Sequence, residues 1–205
     1  MLGMRLKIDQ LKGLWSGRTV VCIASGPSLT EQDCELVRQS GLPTIVTNNT
    51  FERCPWADVL YAFDGAWWHA YRAQVDKTFR GIRVTSWMSG GSYGALSVHG
   101  KGWFSNFGNS GTNAISLAIA GKAKRIILLG YDAKKADGKS HWHGEHPKPL
   151  SNCNSIARWP SQFKALASYA KRQGIEIINC SRETALDCFP LGEICQVLES
   201  EVGGG

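Results

Sequence analysis

The sequence predicts a single-domain α/β fold of the Rossmann-like type, with a mainly parallel sheet and helices on both faces. The chain has 205 residues, of which 43% are apolar and 20% are charged, and these values are ordinary for one globular domain. Its apolar, β-branched runs are continuous rather than alternating, as in strands that are buried on both faces of a parallel sheet. Helical patterns separate these runs, and such alternation is typical of a doubly wound sheet.

Six apolar runs predict the strands in chain order. They are TVVCIA at 19–24, TIVTNN at 44–49, VLYAFD at 59–64, IRVTSW at 82–87, RIILLGYD at 125–132 and IEIINCS at 175–181. Because parallel strands end at the same edge of a sheet, we expect the residues that follow these runs to lie close together.

Four helical patterns connect the strands, and they lie at 28–41, 65–79, 110–124 and 155–174. Ser28 or Thr30 is the expected N-cap of the first helix, and Gly41 is its expected end. Pro160 is expected in the first turn of the last helix, where proline is tolerated. Residues 88–110 are rich in glycine and aromatic residues, and they predict a long loop or a short hairpin with a functional role.

The predicted domain spans residues 1–200, and a flexible glycine tail follows at 201–205. The first 15 residues lack the apolar core of a signal peptide, and no apolar run approaches the roughly 18 residues that suggest a membrane-spanning segment. The seven cysteines include no C-x-x-C pair, so they indicate neither a disulfide framework nor a zinc ribbon. We therefore expect a protein of the reducing cytoplasm. A net charge of +6 favours anionic ligands such as nucleotides, phosphorylated substrates or nucleic acid.

Polar residues follow the first two predicted strands, at the edge where ligands bind in open α/β sheets. Gly26, Pro27 and Ser28 form a turn before a helix, which is either a phosphate cradle or an ordinary connection. Asn48 and Asn49 follow the second strand. Their amides can read a base or a sugar, or they can form a local turn.

The later strand ends and one helix start carry further candidates. Asp64 can bind a ribose hydroxyl or a metal, or it can cap the next helix. Small polar residues open the helix after the long loop, where the helix dipole favours a negative group; they are Ser110, Gly111 and Thr112. Asp132 and Ser181 end the last two predicted strands. We expect all these residues to converge on one edge of the sheet.

Three of the five histidines lie in HWHGEHP at 141–147, directly after Asp132. This concentration predicts a site of acid–base chemistry, a metal site or a solvated polar loop. Histidine suits proton transfer because its unperturbed pKa is about 6.5. The metal alternative places Zn²⁺ or Mg²⁺ on His141, His143 and Asp132.

The order of these motifs resembles the sialyltransferases of glycosyltransferase family 42. The motifs are SGPSL, TNNTF, NSGTNAISLAIAGKAKRIILLGYD, HWHGEH and INCSRETALDCF, and they span roughly residues 19–190. The same features resemble a broader group that includes archaeal 6-hydroxymethylpterin pyrophosphokinases and often phage-encoded proteins of unknown activity. The resemblance to the phage-encoded proteins implies a location in a host cytoplasm.

Family 42 enzymes transfer sialic acid from CMP-sialic acid without a metal. The resemblance implies a nucleotide held by Gly26, Pro27, Ser28, Asn48, Asn49, Ser110 and Gly111. A residue of the histidine loop would be the general base: His146 if Glu145 is an insertion, Glu145 itself otherwise, with His143 as a further candidate. Trp142 stands where the family has a tyrosine near the leaving phosphate. The chain is shorter at 88–110, so the cover over the acceptor would differ. The resemblance also implies a homo-oligomer.

Three functional hypotheses follow. The first is a glycosyltransferase that uses a nucleotide-sugar donor and needs no metal cofactor. The second is a pyrophosphokinase-like phosphoryl transferase, which requires ATP with Mg²⁺. The third is a non-catalytic protein that binds nucleotides or nucleic acid.

Two aromatic clusters have open roles. Trp67, Trp68 and Tyr71 are interpreted as core or interface packing, or else as a stacking surface. The aromatic residues around the glycine-rich loop can cover a bound sugar or stack on single-stranded nucleic acid; they are Trp87, Trp103, Phe104 and Phe107.

Overall fold

The computed structural model describes residues 7–135, 138–146, 150 and 156–202, and within these ranges the chain forms one parallel sheet of seven strands. The strands are β1 (Thr19–Ile23), β2 (Thr44–Thr47), β3 (Val59–Tyr61), β4 (Ile82–Thr85), β5 (Leu96–Ser97), β6 (Arg125–Leu129) and β7 (Glu176–Asn179). Their order across the sheet is β5-β4-β3-β2-β1-β6-β7, and each neighbouring pair is parallel. The Rossmann-like α/β fold predicted from the sequence is therefore confirmed.

Five α-helices of the described residues pack on the two faces of the sheet. They are α1 (Glu31–Ser40), α2 (Gly65–Thr78), α3 (Ser110–Ala120), α4 (Trp159–Arg172) and α5 (Ile194–Val202). Helices α3 and α4 share one hydrophobic cluster with the sheet, and α1, α2 and α5 share the other. In the part of the chain that the structure describes, no helix combines the length and apolarity needed to cross a membrane.

Strand β1 explains why the apolar runs of the sequence are continuous. Side chains of a strand point alternately to its two faces, so Val20 and Cys22 join one hydrophobic cluster while Val21 and Ile23 join the other. All four side chains are fully buried. Since helices cover both faces, residues 20–23 of this strand are all apolar, and they show no alternation with polar residues.

Helices begin and end at local signals in the sequence. The hydroxyl of Thr30 accepts a hydrogen bond from the backbone N–H of Asp33, and Gly41 ends α1 in a left-handed conformation. Thr30, rather than Ser28, is therefore the N-cap. Pro160 lies in the first turn of α4, as predicted, because first-turn N–H groups have no acceptor within the helix.

Residues 88–110 contain a strand that the sequence did not predict. A 3-10 helix at Gly90–Tyr93 turns the chain, and β5 then pairs in parallel with β4. A hairpin would pair antiparallel, so this segment extends the sheet edge instead. The prediction failed here because a two-residue edge strand has no recognisable period.

The chain ends in a helix that the sequence also did not predict. Helix α5 runs to Val202, so the first two residues of the predicted glycine tail, Glu201 and Val202, are helical. Glu201 forms ion pairs with Arg125 and Lys124 at β6. The remaining tail residues 203–205 lie outside the described residues, as do three residues of segments named above, Pro147, Cys153 and Ser155.

The predicted strands overrun the observed ones because the residues at their ends turn the chain. Asn48 adopts a φ of 48° and begins a 3-10 helix at Asn48–Glu52. Gly130 adopts a φ of 67° after β6, a conformation that glycine reaches without steric cost. The polar residues that follow these strands therefore lie in loops at the carboxyl edge of the sheet.

The chain changes direction across the sheet between β1 and β6. Strands β2 to β5 extend from one side of β1, whereas β6 and β7 lie on its other side. The chain after β1 leads to α1 on one face of the sheet and the chain after β6 leads to α4 on the other, which places a crevice at the carboxyl edge. In open α/β sheets, ligands bind at such a switch point.

Candidate active site

A cavity of about 340 Å³ opens at this switch point. The ends of β1, β2, β3 and β6, the start of α3 and the histidine loop (138–146) surround it. The predicted site residues that line it are Gly26, Asn48, Asp64, Ser110, Gly111, Asp132, His141 and His146. Those that do not line it are Pro27, Ser28, Asn49, Thr112, His143, Glu145 and Ser181. Its apolar side consists of Phe63, Tyr131, Trp159 and Phe163.

The turn after β1 holds a carboxylate of the protein itself. Asp132, which is 1% exposed, accepts hydrogen bonds of 2.7 Å from both the backbone N–H and the hydroxyl of Ser28. The N–H of Gly26 donates to the carbonyl of Gly130. The backbone N–H groups of this turn, which the sequence suggested as donors to a phosphate, thus donate to acceptors of the protein itself. Burial raises the pKa of Asp132, and the two Ser28 hydrogen bonds oppose that shift.

Gly26 allows this close approach of the two loops. A Cβ at this position would lie 2.3 Å from Oδ1 of Asp132 and 2.4 Å from the carbonyl oxygen of Gly130. No side chain fits such a gap. The glycine therefore serves the contact between the loops after β1 and β6, and it also lines the cavity.

Three other predicted binding residues have structural partners. Asn49 accepts a 2.8 Å hydrogen bond from the indole of Trp67. Ser181 accepts one of 2.8 Å from the backbone of Tyr131. The hydroxyl of Thr112 donates to the carbonyl of Asn109. These contacts stabilise the ends of β2, β6 and α3, and they account for polar side chains that do not line the cavity.

Helix α3 directs its N-terminus at the cavity. Asn109 caps the helix, since its side chain accepts a 2.9 Å hydrogen bond from the N–H of Thr112. Asn109 is not among the predicted site residues, although asparagine directly before a predicted helix start is a common N-cap. Ser110 and Gly111 occupy the first turn and line the cavity. First-turn N–H groups lack intrahelical acceptors, and with the helix dipole they favour a negative ligand group.

Ser110 connects α3 to the ends of β2 and β3. Its hydroxyl donates to Oδ1 of Asn48 over 3.0 Å and accepts from the backbone N–H of Phe63, also over 3.0 Å. Asn48, half-buried in its left-handed conformation, is thereby held at the cavity. The amide nitrogen of Asn48 remains a donor for a ligand.

Asp64 presents a carboxylate to the cavity. It occupies the N-cap position of α2, but its side chain makes no capping hydrogen bond. The residue is exposed to solvent at the cavity, and the protein around its carboxylate still raises the pKa by desolvation. Of the two roles that the sequence allowed, helix capping is excluded for this side chain.

The histidine loop is attached to the turn after β1. The backbone N–H of Trp142 donates to the carbonyl of Ser25, and Nδ1 of His141 lies 3.1 Å from the Ser25 hydroxyl. The guanidinium of Arg53 stacks on the indole of Trp142, 3.9 Å from its ring centre. These contacts place His141 and His146, which are 9% and 7% exposed, at the cavity.

The three histidines of the loop form one cluster, with ring centres 4.8 to 5.0 Å apart. Burial lowers all three pKa values, that of His141 to about 4 and that of His143 to about 3. Charge on His146 lowers the pKa values of the other two further, whereas Glu145 partly restores that of His146. The three imidazoles are therefore neutral at pH 7.

Tyr71 of α2 contacts His146 directly. Its hydroxyl lies 3.0 Å from Nδ1 of His146, and its ring stacks on Trp67 at 5.1 Å. The sequence predicted Tyr71 in packing or in a stacking surface; its contact with His146 was not predictable, because the two residues are 75 positions apart. Tyr71 can hold the imidazole in one orientation and one tautomer.

Glu145 and His143, the other candidate catalytic residues, are not among the residues that line the cavity. Glu145 is exposed and accepts a 3.1 Å hydrogen bond from Ser140. His143 packs edge-on against Trp142 at 5.3 Å, and its Nε2 is buried without a hydrogen-bond partner among the described residues. Of the three candidates, only His146 lines the cavity.

The metal alternative lacks a suitable ligand set within the described ranges. No group of three or more histidine, cysteine, aspartate or glutamate side chains there is arranged to hold a metal ion. His143 does not line the cavity, and the Asp132 carboxylate is bound by Ser28. The predicted combination of His141, His143 and Asp132 therefore does not assemble.

No family model matches the chain, and no curated protein sequence matches it either. The likeness to glycosyltransferase family 42 accordingly stays a prediction from motif order, and the function has to be argued from the cavity and its residues.

Proposed function

We propose that the protein is a transferase that uses a nucleotide-activated donor, and specifically a glycosyltransferase with His146 as general base. One observation carries this proposal: the cavity at the switch point is lined both by the N-terminus of α3 and by a buried, neutral histidine. The first suits a phosphate group, and the second suits removal of a proton from a hydroxyl.

The donor is expected to bind across the starts of α3 and the loop after β2. Ser110 and Gly111 donate backbone N–H groups to the phosphate that bears the sugar, where the helix dipole stabilises the charge that develops on the leaving group. Asn48 offers its amide nitrogen to the sugar or the base. Lys134 also lines the cavity, where it pairs with Glu183 at 3.0 Å.

In the proposed reaction, the acceptor hydroxyl loses its proton to His146 while its oxygen forms a bond to the anomeric carbon of the donor sugar. The bond between that carbon and the phosphate oxygen breaks, and the nucleotide leaves with the electron pair. Nδ1–H of His146 donates to the hydroxyl of Tyr71 in this arrangement, which leaves the lone pair on Nε2. The lowered pKa of His146 keeps that nitrogen unprotonated at neutral pH.

The test combines ligand binding with turnover. Purified protein is titrated with nucleoside mono- and diphosphates, nucleotide sugars and ATP, each with Mg²⁺ and with EDTA, and melting temperature and calorimetric Kd are measured. A nucleotide that binds equally in EDTA, together with release of that nucleotide from its sugar, supports the proposal. A requirement for ATP with Mg²⁺ would instead identify a phosphoryl transferase, and salt-sensitive nucleic-acid binding without turnover would identify a binding protein.

His146→Ala separates catalysis from binding. We expect it to lower turnover by roughly 10²–10⁴-fold, the usual contribution of a general base, while the Kd of the nucleotide stays unchanged. His99→Ala is the matched control, because His99 is exposed and does not line the cavity. Full turnover by His146→Ala would remove His146 from the mechanism.

A further inference from the structure

Trp87 is an aromatic side chain that the described structure leaves open to solvent. It is 49% exposed, and the adjoining Met88 is 73% exposed. The other aromatic residues of this region pack against the core or make hydrogen bonds; they are Trp103, Phe104 and Phe107. Of the four residues that could cover a sugar, Trp87 is the most exposed, since the other three are partly buried.

The backbone of Trp87 is held in place despite this exposure. Its N–H donates to the hydroxyl of Thr85, and its carbonyl accepts from the N–H of Gly90 and the hydroxyl of Ser97. Three hydrogen bonds thus position a side chain that contributes little to the core. A fixed, exposed indole loses little conformational entropy when a ligand stacks on it.

Gly65 brings this ring next to the cavity. A Cβ at Gly65 would lie 2.8 Å from the indole of Trp87, so the ring packs directly on the first residue of α2. The preceding residue, Asp64, lines the cavity with a carboxylate that accepts no hydrogen bond from the described residues. Trp87 does not itself line the cavity, but its flat apolar ring packs on the residue that follows Asp64, whose carboxylate is at the cavity.

We propose that Trp87 and Asp64 form the acceptor subsite and that the acceptor is a carbohydrate. This inference rests on the proposed function, since a transferase needs a second subsite beside its donor site. The apolar C–H face of a pyranose ring stacks on the indole, and its hydroxyls donate to the carboxylate. Asp64 positions the acceptor hydroxyl towards the cavity that His146 lines.

Charge distinguishes this occupant from nucleic acid. Asp64 would repel a phosphate backbone at the point where a base would stack on Trp87, because like charges at close range disfavour binding. A neutral sugar experiences no such repulsion, and each hydroxyl that donates to a carboxylate forms a charge-assisted hydrogen bond.

The experiment measures sugar binding without a donor. Methyl glycosides of the common hexoses and N-acetylhexosamines are titrated into the protein by saturation-transfer NMR, which reports the ring protons that contact the protein. We expect at least one glycoside to bind through its C–H face, and Trp87→Ala to raise its Kd about tenfold or more, as for other aromatic binding anchors. Trp87→Phe should recover part of the affinity, and Asp64→Asn should weaken binding without removing the C–H contacts.

Leu14→Ala is the control, because it shortens an exposed apolar side chain beside the C-terminal end of α3, away from the cavity. Equal Kd values for wild type and Trp87→Ala, or binding of none of the glycosides, would overturn the inference. So would self-association or single-stranded DNA binding that depends on Trp87.

The failure of this inference can be distinguished from the failure of the proposed function. If glycosides bind through Trp87 but no nucleotide sugar is consumed, the proposed function fails while the subsite stands. If turnover is found and Trp87→Ala leaves the KM of the acceptor unchanged, only the subsite fails.

Discussion

His143 and His146 lie three residues apart in one loop, yet the structure gives them different surroundings. His146 lines the cavity and contacts the hydroxyl of Tyr71, whereas His143 packs against Trp142 outside the lining. In the sequence the two are equivalent candidates, because an irregular loop has no period that tells which side chain faces inward. Contact with the cavity, and not residue type, separates them.

At the same scale, the turn at Gly26 resembles a phosphate-binding turn, but its hydrogen-bond donors bind a side chain of the protein itself. The N–H and the hydroxyl of Ser28 donate to the carboxylate of Asp132. Asp132 lies 104 positions further along the chain. Sequence reasoning correctly placed both residues at the sheet edge. It could not predict that they bind each other, because that pairing depends on β1 and β6 being neighbours.

Tyr71→Phe tests the contact that sequence reasoning missed. The substitution keeps the stacking on Trp67 and removes the hydroxyl beside Nδ1 of His146. We expect about a tenfold fall in kcat, smaller than the loss of the base itself, with unchanged nucleotide Kd. The acid limb of the pH–rate profile should also shift, since the surroundings of His146 change. Tyr169→Phe, outside the cavity lining, serves as control; a fall in kcat without a pH shift would indicate a structural role only.

At the scale of elements, the start of α3 is the part of the site that local sequence encodes best. Small polar residues after Asn109, a residue type that often caps helices, indicate a helix N-terminus. The helix begins at Ser110, as predicted. The contact of Ser110 with Asn48 is different, because it joins residues 62 positions apart. The sequence thus predicts the presence of an anion-binding helix start, and tertiary structure decides which loop lies opposite it.

Asn109→Ala should lower both the stability of the protein and its affinity for a nucleotide. It removes the cap of α3 and a 2.7 Å hydrogen bond from Asn109 to Gln162. We expect a loss of about 1 kcal/mol in the free energy of unfolding, as for other N-caps, and weaker nucleotide binding because the first turn is loosened. Urea denaturation and calorimetry measure the two effects.

Thr30→Ala is the matched control, since it removes the cap of α1, whose N-terminus does not line the cavity. A similar loss of stability with unchanged nucleotide affinity is expected for this variant. If both variants affected binding equally, general destabilisation would explain the effect, and α3 would have no special part in the site.

For the whole molecule, the strand order determines where a site can form. The sequence predicted the strands other than β5, and it predicted that polar residues at their ends would converge. It did not predict that β6 lies beside β1, the arrangement that opens the crevice. Strand order depends on which strands pair with each other in the folded sheet, and no local sequence pattern predicts that pairing.

The stability of the whole molecule should fall in mild acid. The folded-state pKa values of about 4 for His141 and about 3 for His143 lie below the unfolded value of about 6.5. The unfolded chain therefore binds more protons between these values. The free energy of unfolding should be at its plateau above about pH 6.5 and should fall as the pH drops towards 4 and 3. The lowered pKa of Glu201 acts in the same direction once the pH falls below the ordinary glutamate value of about 4.3.

Urea denaturation of wild type and His143→Asn across this range measures the contribution. We expect a shallower loss of stability in the variant, because one proton-binding difference is removed. His99→Asn, at an exposed position, should follow the wild-type curve. Identical pH dependence in wild type and His143→Asn would show that the cluster does not govern acid stability.

The sequence by itself determined the fold class, a helix start at Ser28 or Thr30, the position of Pro160 and the location of polar residues at the strand ends. These features depend on periodicity and on contacts between near neighbours, which the order of residues records directly. Tertiary structure alone decided that Asp132 occupies the turn at Ser28, that Tyr71 meets His146 and that Trp87 adjoins Asp64. The first two pairings bring together distant positions of the chain, and the third adjoins the ends of two different strands, so all three exist only once the sheet has assembled and its loops have met at one edge.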